Sequence, residues 1–360
     1  MSKPPKPQYP FSAVIGQDKL KKALLLSASD PSLGGVLVSG NRGTAKSTLA
    51  RSLADLLDNK PFVNCPLGVS EDRLLGSINI EQVLQNNKAT FSPGLFSKAH
   101  QGVLYVDEIN LLPDHIIDLL LDVSASGINY VERDGISHQH DAQFILIGSM
   151  NPEEGALRPQ LLDRFGLFVD ISENPNLDDR LKIVESRLAF ENDPITFYKT
   201  YADRQNATKQ LVRHANHTLK RVVASDDIKM DIAQRCLQAE VEGVRADLSL
   251  FRAARAQAAM RGGKNMRKED VDAVADLVLA HRRQSPSQNS QQNTAEQNPP
   301  SHNPSHSEST DKQGKSKEQS SQGDWGTMPT EEVTIGLARQ LDPHQFTTKN
   351  QTPREQKKKH

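Results

Sequence analysis

An apolar run, Gly35-Val36-Leu37-Val38-Ser39, leads into Gly40-Asn41-Arg42-Gly43-Thr44-Ala45-Lys46-Ser47-Thr48, and a helical pattern from Ser47 to Leu57 leads out. Strand, glycine-bearing turn, Lys-Ser and helix are the layout of a phosphate-binding loop. Small residues let the backbone curl until several N–H groups point at phosphate oxygens. The helix adds its positive N-terminal end. Lys46 has the reach for β- and γ-phosphates, and the Ser47 hydroxyl can sit on Mg²⁺. Gly40 to Thr48 are therefore expected to hold ATP with Mg²⁺. Ala45 stands where the second glycine of the pattern belongs. Alanine fits poorly at positive φ, so usual nucleotide binding requires a helical, negative φ at Ala45.

Two further clusters suit hydrolysis. Gly102-Val103-Leu104-Tyr105-Val106-Asp107-Glu108 is an apolar run ending in two acids, the pattern of a buried parallel strand with carboxylates at its C-terminal edge. Ligands of open α/β sheets lie at that edge. Asp107 is expected to hold Mg²⁺ through water, and Glu108 to polarise the attacking water. Gln143 to Met150 is another buried strand, and Asn151 at its end is expected to orient that water. His138 and His140 lie two apart on one strand face. A metal pair is one reading of them; two polar strand residues is the preferred one.

These residues need a frame. Strands at Gly35–Ser39, Pro61–Cys65, Gly102–Asp107, Gln143–Met150 and Gly166–Ile171 alternate with helical stretches. That alternation predicts an α/β fold, a three-layer domain with a parallel sheet, over residues 11–175. Val14, Ile15 and Gly16 precede the first strand and could touch the adenine or simply be core. Residues 68–98 contain too few apolar residues to read as core; an insertion with a loop or hairpin near Gln85 to Lys88 is expected there. Gly127 to His138 alternates and carries Asp134-Gly135, a hairpin signal. From Asn176 the pattern turns helical, with helices over Leu177–Ala189, Thr200–Val223, Ile228–Val241, Leu248–Met260 and one around Val271–Val278. This predicts an all-α domain at 176–283.

Residues 1–10 are Pro- and Lys-rich, a flexible lead-in. Beyond Arg283, Gln, Ser, Asn, Pro and His dominate. Such composition cannot offset its ordering entropy by apolar burial, so 284–360 is expected to be a disordered polar tail. Val333, Ile335, Leu337 and Leu341 form a weak apolar pattern within it that could dock on a partner. The net charge of −1 gives no basic field for nucleic acid. Cys65 and Cys236 form neither a disulfide framework nor a metal motif and read as buried, reduced thiols. No apolar run approaches a membrane span and residues 1–7 lack a leader's apolar core, so a soluble, cytoplasmic protein is expected.

Phosphate loop, strand-end Asp-Glu, strand-end Asn and a following helical domain together make an AAA+ ATPase with a helical lid. The sequence also resembles a known family, the I (ATPase) subunit of magnesium chelatase, over about residues 10–283. The words that carry it are Phe11 to Gln17, Gly40 to Thr48, Gly102 to Asn110, Met150-Asn151-Pro152-Glu153-Glu154-Gly155 and Leu157 to Leu167. Gly243-Val244-Arg245-Ala246-Asp247, Arg252 to Ala256 and Leu277 to Arg282 match as well. The resemblance implies that Arg164 is an arginine finger reaching a neighbour's nucleotide and that Arg245 senses the γ-phosphate from the lid. It places the family's helix-2 insertion at 71–98 and a hairpin before the Asn strand at 127–140. It implies a homo-oligomeric ring, most simply a hexamer, and a D-type partner with an integrin-like (VWA) domain. An H-type subunit that inserts Mg, or alternatively Co, into a tetrapyrrole completes the set. Ala45 departs from the family's usual glycine, and the tail resembles the polar linker of D subunits. A MoxR-like chaperone ATPase acting with a VWA-domain partner, and a scaffold that binds nucleotide without hydrolysis, are the alternatives.

Overall fold

Alternate residues of the central strands feed two different apolar cores, and this makes the protein three layers deep. Val36 and Val38 join the core formed with α1 (Asp18–Ser29) and α2 (Lys46–Leu56); Leu37 joins the opposite one. Val103, Tyr105, Ile145 and Ile147 face the first core, while Leu104, Val106 and Leu146 face the second. Strands apolar on both faces must be covered on both, as in parallel sheets generally. In this computed structural model the described residues are 7–58, 60–79, 90–133, 136–171 and 175–283. They belong to one compact unit. The expected tail lies wholly outside them and the expected flexible lead-in only to residue 6; Tyr9 and Pro10 are packed rather than flexible, Tyr9 Oη sharing a 2.6 Å hydrogen bond with Ser186 Oγ and Pro10 being buried.

Five strands form the parallel sheet: β1 (Val36–Gly40), β2 (Phe62–Cys65), β5 (Val103–Val106), β8 (Ile145–Met150) and β9 (Leu167–Ile171), in the order β2-β5-β8-β1-β9. Ser39 pairs with Met150 and Val106 with Gly148. This register brings the ends of β1, β5 and β8 to one edge, where Asn41, Asp107 and Asn151 follow. Two antiparallel hairpins stand apart from the sheet. One joins β3 (Gly76–Asn79) to β4 (Thr90–Pro93), and the other joins β6 (Ile128–Arg133) to β7 (Ile136–Asp141). The loop expected near Gln85–Lys88 and the Asp134-Gly135 turn lie outside the described residues.

The insertion contributes to the core after all. Leu74, Leu75, Leu95 and Phe96, on α3 (Glu71–Leu75) and α4 (Leu95–Ala99), are buried in the second core. Few apolar residues suffice, because α4 packs against β2 and β5 and α3 packs on α4. The second core is completed by α5 (Asp114–Ser126).

The helical part is α7 (Leu177–Asn192), α8 (Pro194–Thr200), α9 (Ala202–Leu219), α10 (Asp226–Gln238), α11 (Arg245–Met260) and α12 (Lys268–Leu279), after the short α6 (Pro159–Leu162). The sequence does not single out α8. It starts at Pro194, and the Asp193 carboxylate accepts from the N–H groups of Ile195 and Thr196, a proline-plus-cap start. Val212, Ile228, Ile232, Leu250, Val271 and Val274 share the first core with Leu20, Leu24 and Val38, so lid and sheet are built on one continuous interior. Arg255 ties to Asp30 at 3.0 Å, and Lys22 Nζ donates to Ala273 O at 2.7 Å. No described helix is long and apolar enough to cross a membrane. Both cysteines are free and buried, and burial pushes each thiol up to about 11.

Candidate active site

The phosphate-binding loop rises between the buried end of β1 and the first turn of α2. Gly40 closes the strand; a Cβ there would meet Ile171 O at 3.0 Å, so any larger residue would press on β9. Asn41, Arg42 and Gly43 are exposed at the loop's crest, and Gly43 takes φ +83°. Ala45 corrects the expectation from sequence. It has φ +62° and ψ +17°, left-handed rather than helical, and caps α2 without a side-chain bond. The loop keeps its glycine shape, and the alanine bears the strain. Thr44 Oγ1 donates to Asn41 O at 2.9 Å.

Lys46 folds back over the loop. Its Nζ donates to Gly40 O and, at 3.0 Å, to Asn41 O. Burial holds the ammonium below the ordinary lysine value, against the opposite pull of Asp107, Glu108 and Glu154. The cation therefore lies among three carboxylates at the sheet edge. Thr48, on the first turn of α2, is half-buried.

Asp107 follows β5. Tyr105 Oη donates to its Oδ1 at 2.9 Å, and Ser149 Oγ donates to the same atom at 2.5 Å. Tyr105 is buried, and burial raises its phenol well above the usual value; Ser47 lies within its hydrogen-bonding range. Glu108 has φ +52°, a left-handed residue where the strand turns sharply. Its N–H donates to Ser149 Oγ at 3.1 Å. Ser149 thus joins Asp107 to Glu108, a link that no sequence motif announced. Its only signal was a hydroxyl just before Asn151 in a buried strand. Strained, non-glycine backbone of this kind collects where side chains must be aimed.

The Glu108 carboxylate is engaged. Arg42 Nη2 donates to its Oε1 at 3.1 Å and also to Glu154 Oε1. Glu154 was only part of a family word in the sequence; the structure brings it into the site. Asn151 is buried, and its Oδ1 accepts from Glu153 N at 3.3 Å, capping the turn Pro152–Glu154. Asn110 Nδ2 donates to Gly155 O at 3.2 Å and holds the far end of that turn. The structure gathers Lys46, Asp107, Glu108, Arg42 and Glu154 by direct contact or charge, with Asn151 at the same sheet edge.

The two arginines expected from the resemblance lie elsewhere in the chain. Arg164 donates to Asp118 through Nη1 and to Asp122 through Nη2, both on α5, and the neighbouring Arg158 meets Asp114 at 2.8 Å. Arg245, at the start of α11, donates from Nη1 to Asp163 Oδ2 at 2.6 Å. Of the adenine candidates, Val14 is buried in the first core, Ile15 half-buried and Gly16 exposed.

The His138 and His140 question resolves on hydrogen bonds. Asn129 Nδ2 donates to Leu75 O and lies 2.9 Å from His140 Nε2. That ring nitrogen must accept, so the proton is on Nδ1, which donates to Asp141 O at 3.0 Å. Both nitrogens are used, and His138 stacks on Phe91 at 4.0 Å. They are polar strand residues. Among the described residues no group of three or more His, Cys, Asp or Glu side chains could hold a metal.

A parallel sheet in the order β2-β5-β8-β1-β9, with a lysine-bearing phosphate loop after β1, acids after β5, an asparagine after β8 and a helical lid, defines an AAA+ ATPase. Residues 35–165 match the AAA domain (dynein-related subfamily), and 229–301 match the AAA lid domain. The chain is 49% identical over 281 residues to an uncharacterized protein of Mycobacterium tuberculosis, covering 76% of this chain and 45% of that one. It thus spans less than half of that relative. It is 43% identical over 316 residues to the chloroplastic magnesium-chelatase subunit ChlI-2 of Arabidopsis thaliana, covering 77% of this chain and 76% of the relative. A crystal structure of a putative ATPase from Cytophaga hutchinsonii shares the fold, with a TM-score of 0.57 at 19% identity over 76% of this chain and 84% of the other. The chain belongs to the magnesium-chelatase subunit I family of AAA+ ATPases.

ATP and Mg²⁺ are the ligands this family uses, and the residues present fit them. Lys46 lies on the loop's own carbonyls at the foot of an exposed crest, and Asp107 is oriented by two hydroxyls. Lys46 and the loop N–H groups would take the phosphates, and Ser47 with Asp107 the Mg²⁺.

Proposed function

We propose that this chain is an ATP-hydrolysing ring subunit that drives metal insertion into a tetrapyrrole. Mg²⁺ is the first candidate and cobalt the second; a D-type VWA-domain subunit and an H-type subunit are the partners. The observation that carries the reading is the gathering of Lys46, Asp107, Glu108 and Asn151 at one sheet edge, in a chain 43% identical to a magnesium-chelatase subunit. A subunit kept only as scaffold would have no need of Lys46, Asp107, Glu108 and Asn151 together.

Within this reading Glu108 is the base that polarises water, Asn151 orients that water, and Gly40 to Thr48 bind ATP. Glu108 must first exchange Arg42 for water, because the guanidinium holds its Oε1. Arg164 serves the neighbouring subunit's site, which its place on the α5 aspartates, apart from its own phosphate loop, supports. Arg245 senses the γ-phosphate from the lid. The working division is a lead-in at 1–10, a nucleotide domain at 11–175, a lid at 176–283 and a polar tail at 284–360. It is supported by the last strand ending at Ile171 and the helices starting at Leu177. A hexameric ring in the cytoplasm, with neither nucleic acid nor membrane as partner, completes the proposal.

The test combines the purified protein with the D- and H-type subunits of the same organism, ATP, Mg²⁺ or Co²⁺, and a porphyrin, and follows the porphyrin's absorbance. ATP-dependent metalloporphyrin formation is expected. ATP hydrolysis that responds to a VWA-domain protein while no porphyrin is metallated would select the MoxR-like alternative.

A further inference from the structure

Glu154 has no part in the hydrolytic set, yet its carboxylate is bound into it. One Arg42 amino group, Nη2, donates both to Glu108 Oε1 at 3.1 Å and to Glu154 Oε1. An arginine Nη carries two hydrogens, so one nitrogen bridges the two carboxylates and has no donor left. Both carboxylates hold the guanidinium above the ordinary arginine value, Glu154 the more strongly. Glu154 Oε2 is buried and has no hydrogen-bond partner among the described residues. A buried carboxylate oxygen left unmatched is costly. The two sides of the contact differ in freedom. Arg42 stands on the exposed crest of the loop, its side chain 73% exposed, while that of Glu154 is 23% exposed. Glu154 also lies on a turn tied at both ends, by Glu153 N donating to Asn151 Oδ1 at 3.3 Å and Asn110 Nδ2 donating to Gly155 O at 3.2 Å. Glu154 is therefore the fixed post and Arg42 the mobile arm.

We infer that Glu154 is a positioning residue for hydrolysis, the carboxylate that keeps Arg42 when Glu108 is released to take its water. The inference rests on the role proposed above for Glu108. A carboxylate that already accepts from a guanidinium is a poorer base, so the bridge seen here caps Glu108. With ATP bound, Asp107 would hold Mg²⁺, and its chain neighbour Glu108 would face a second cation that competes with Arg42 for its charge. Arg42, let go by Glu108, can turn its other amino group onto Glu154 Oε2. The two side chains then form the forked pair of parallel N–H···O bonds for which guanidinium and carboxylate are shaped. That pair matches the one Glu154 oxygen now without a partner. The arm swings on an exposed loop and the post stays where it is, so no packed segment has to move. Without Glu154, Glu108 would be the carboxylate left to Arg42, and the cap would stay on.

Full-length variants test this by a loss and its reversal. Glu154→Gln should lower kcat about tenfold or more, the shift expected when a charge-assisted hydrogen bond loses its competitor. Affinity for a fluorescent ATP analogue should change little, a split that mere unfolding would not give. Adding Arg42→Ala to Glu154→Gln should return most of the lost kcat, because no guanidinium is left to cap Glu108. A purely structural role for Glu154 predicts no such recovery. Glu154→Asp keeps the charge but draws the carboxylate back by one methylene. It should show the same loss and the same recovery, and it decides the matter if Glu154→Gln no longer binds the analogue. A structure with a non-hydrolysable ATP analogue and Mg²⁺ reads the switch apart from turnover: both Arg42 amino groups should lie on Glu154, with Glu108 free. Wild-type kcat in Glu154→Gln, a double variant no faster than the single one, or Arg42 still on Glu108 beside the bound analogue overturns the inference alone, provided Glu108→Gln is inactive. Near-normal turnover in Glu108→Gln removes the base itself, and the inference with it.

Discussion

Replacing Ala45 by glycine tests the most unusual feature of the phosphate loop. At φ +62° and ψ +17° the alanine is left-handed, a conformation that costs an L-residue roughly 1–2 kcal/mol. Glycine removes that strain but returns about 0.5–1 kcal/mol through the greater freedom of the unfolded chain. Glycine is also the better residue at a helix N-cap. The net expectation for Ala45→Gly is a gain of about 0.5–1 kcal/mol in the nucleotide-free protein, seen as a higher urea midpoint at unchanged slope. In a chain of this size that corresponds to a rise in Tm of ~1–2 °C. Affinity for an ATP analogue should change little, because the loop already has its glycine shape. Ala45→Val gives the opposite sign: a β-branched residue at this φ should destabilise by well over 1 kcal/mol, whereas in a helical first turn it would cost only a few tenths, roughly. A destabilised Ala45→Gly together with a tolerated Ala45→Val would mean that residue 45 is helical in solution, and the reasoning would fail.

Glu108→Gln should retain ATP binding and lower kcat on the order of 10²–10⁴-fold; near-normal turnover would remove this carboxylate from the chemistry. Burial pushes His281 down to about 3, from an ordinary 6.5, while its Nε2 donates to Phe165 O at 3.2 Å. Because the folded value is depressed, the unfolded chain takes the proton first, so stability is full above pH 6.5 and falls as pH drops toward 3. The loss should be on the order of 3 kcal/mol at pH 4, and urea titrations of His281→Gln should show a shallower decline; an equal slope would refute the assignment. The match to the AAA lid domain reaches residue 301, so deleting 302–360 should leave ATPase activity intact, and a large loss would show that the tail belongs to the hydrolytic unit.

The sheet and its edge were legible because each depends on one short, local pattern. Apolar runs that end in Gly40, Asp107 and Asn151 leave few topologies open, and the observed register delivers all three to one edge. Ala45 was misjudged because sequence shows a residue but not the φ its neighbours impose. The buried residues of α3 and α4 were missed because counting apolar residues cannot show that two short helices share one end of a sheet. Glu154 and Ser149 were not singled out as site residues for a related reason. Each acts through a partner remote in sequence, Arg42 and Asp107 respectively, and such pairings exist only after folding. The boundary at Pro194 was readable in principle from its Asp-Pro start.

The packing of Phe91 against His138 and His140 has a mechanical consequence. Phe91 lies on β4 and the two imidazoles on β7, with centroids 4.0 and 5.6 Å away, while Asn129 on β6 bonds to Leu75 at the foot of β3. The two hairpins are thereby riveted into a single lever. Through the Asn129 bond to the Leu75 carbonyl they are also joined to a residue buried in the second core. Removing either hairpin would expose further the ring faces that the other now covers.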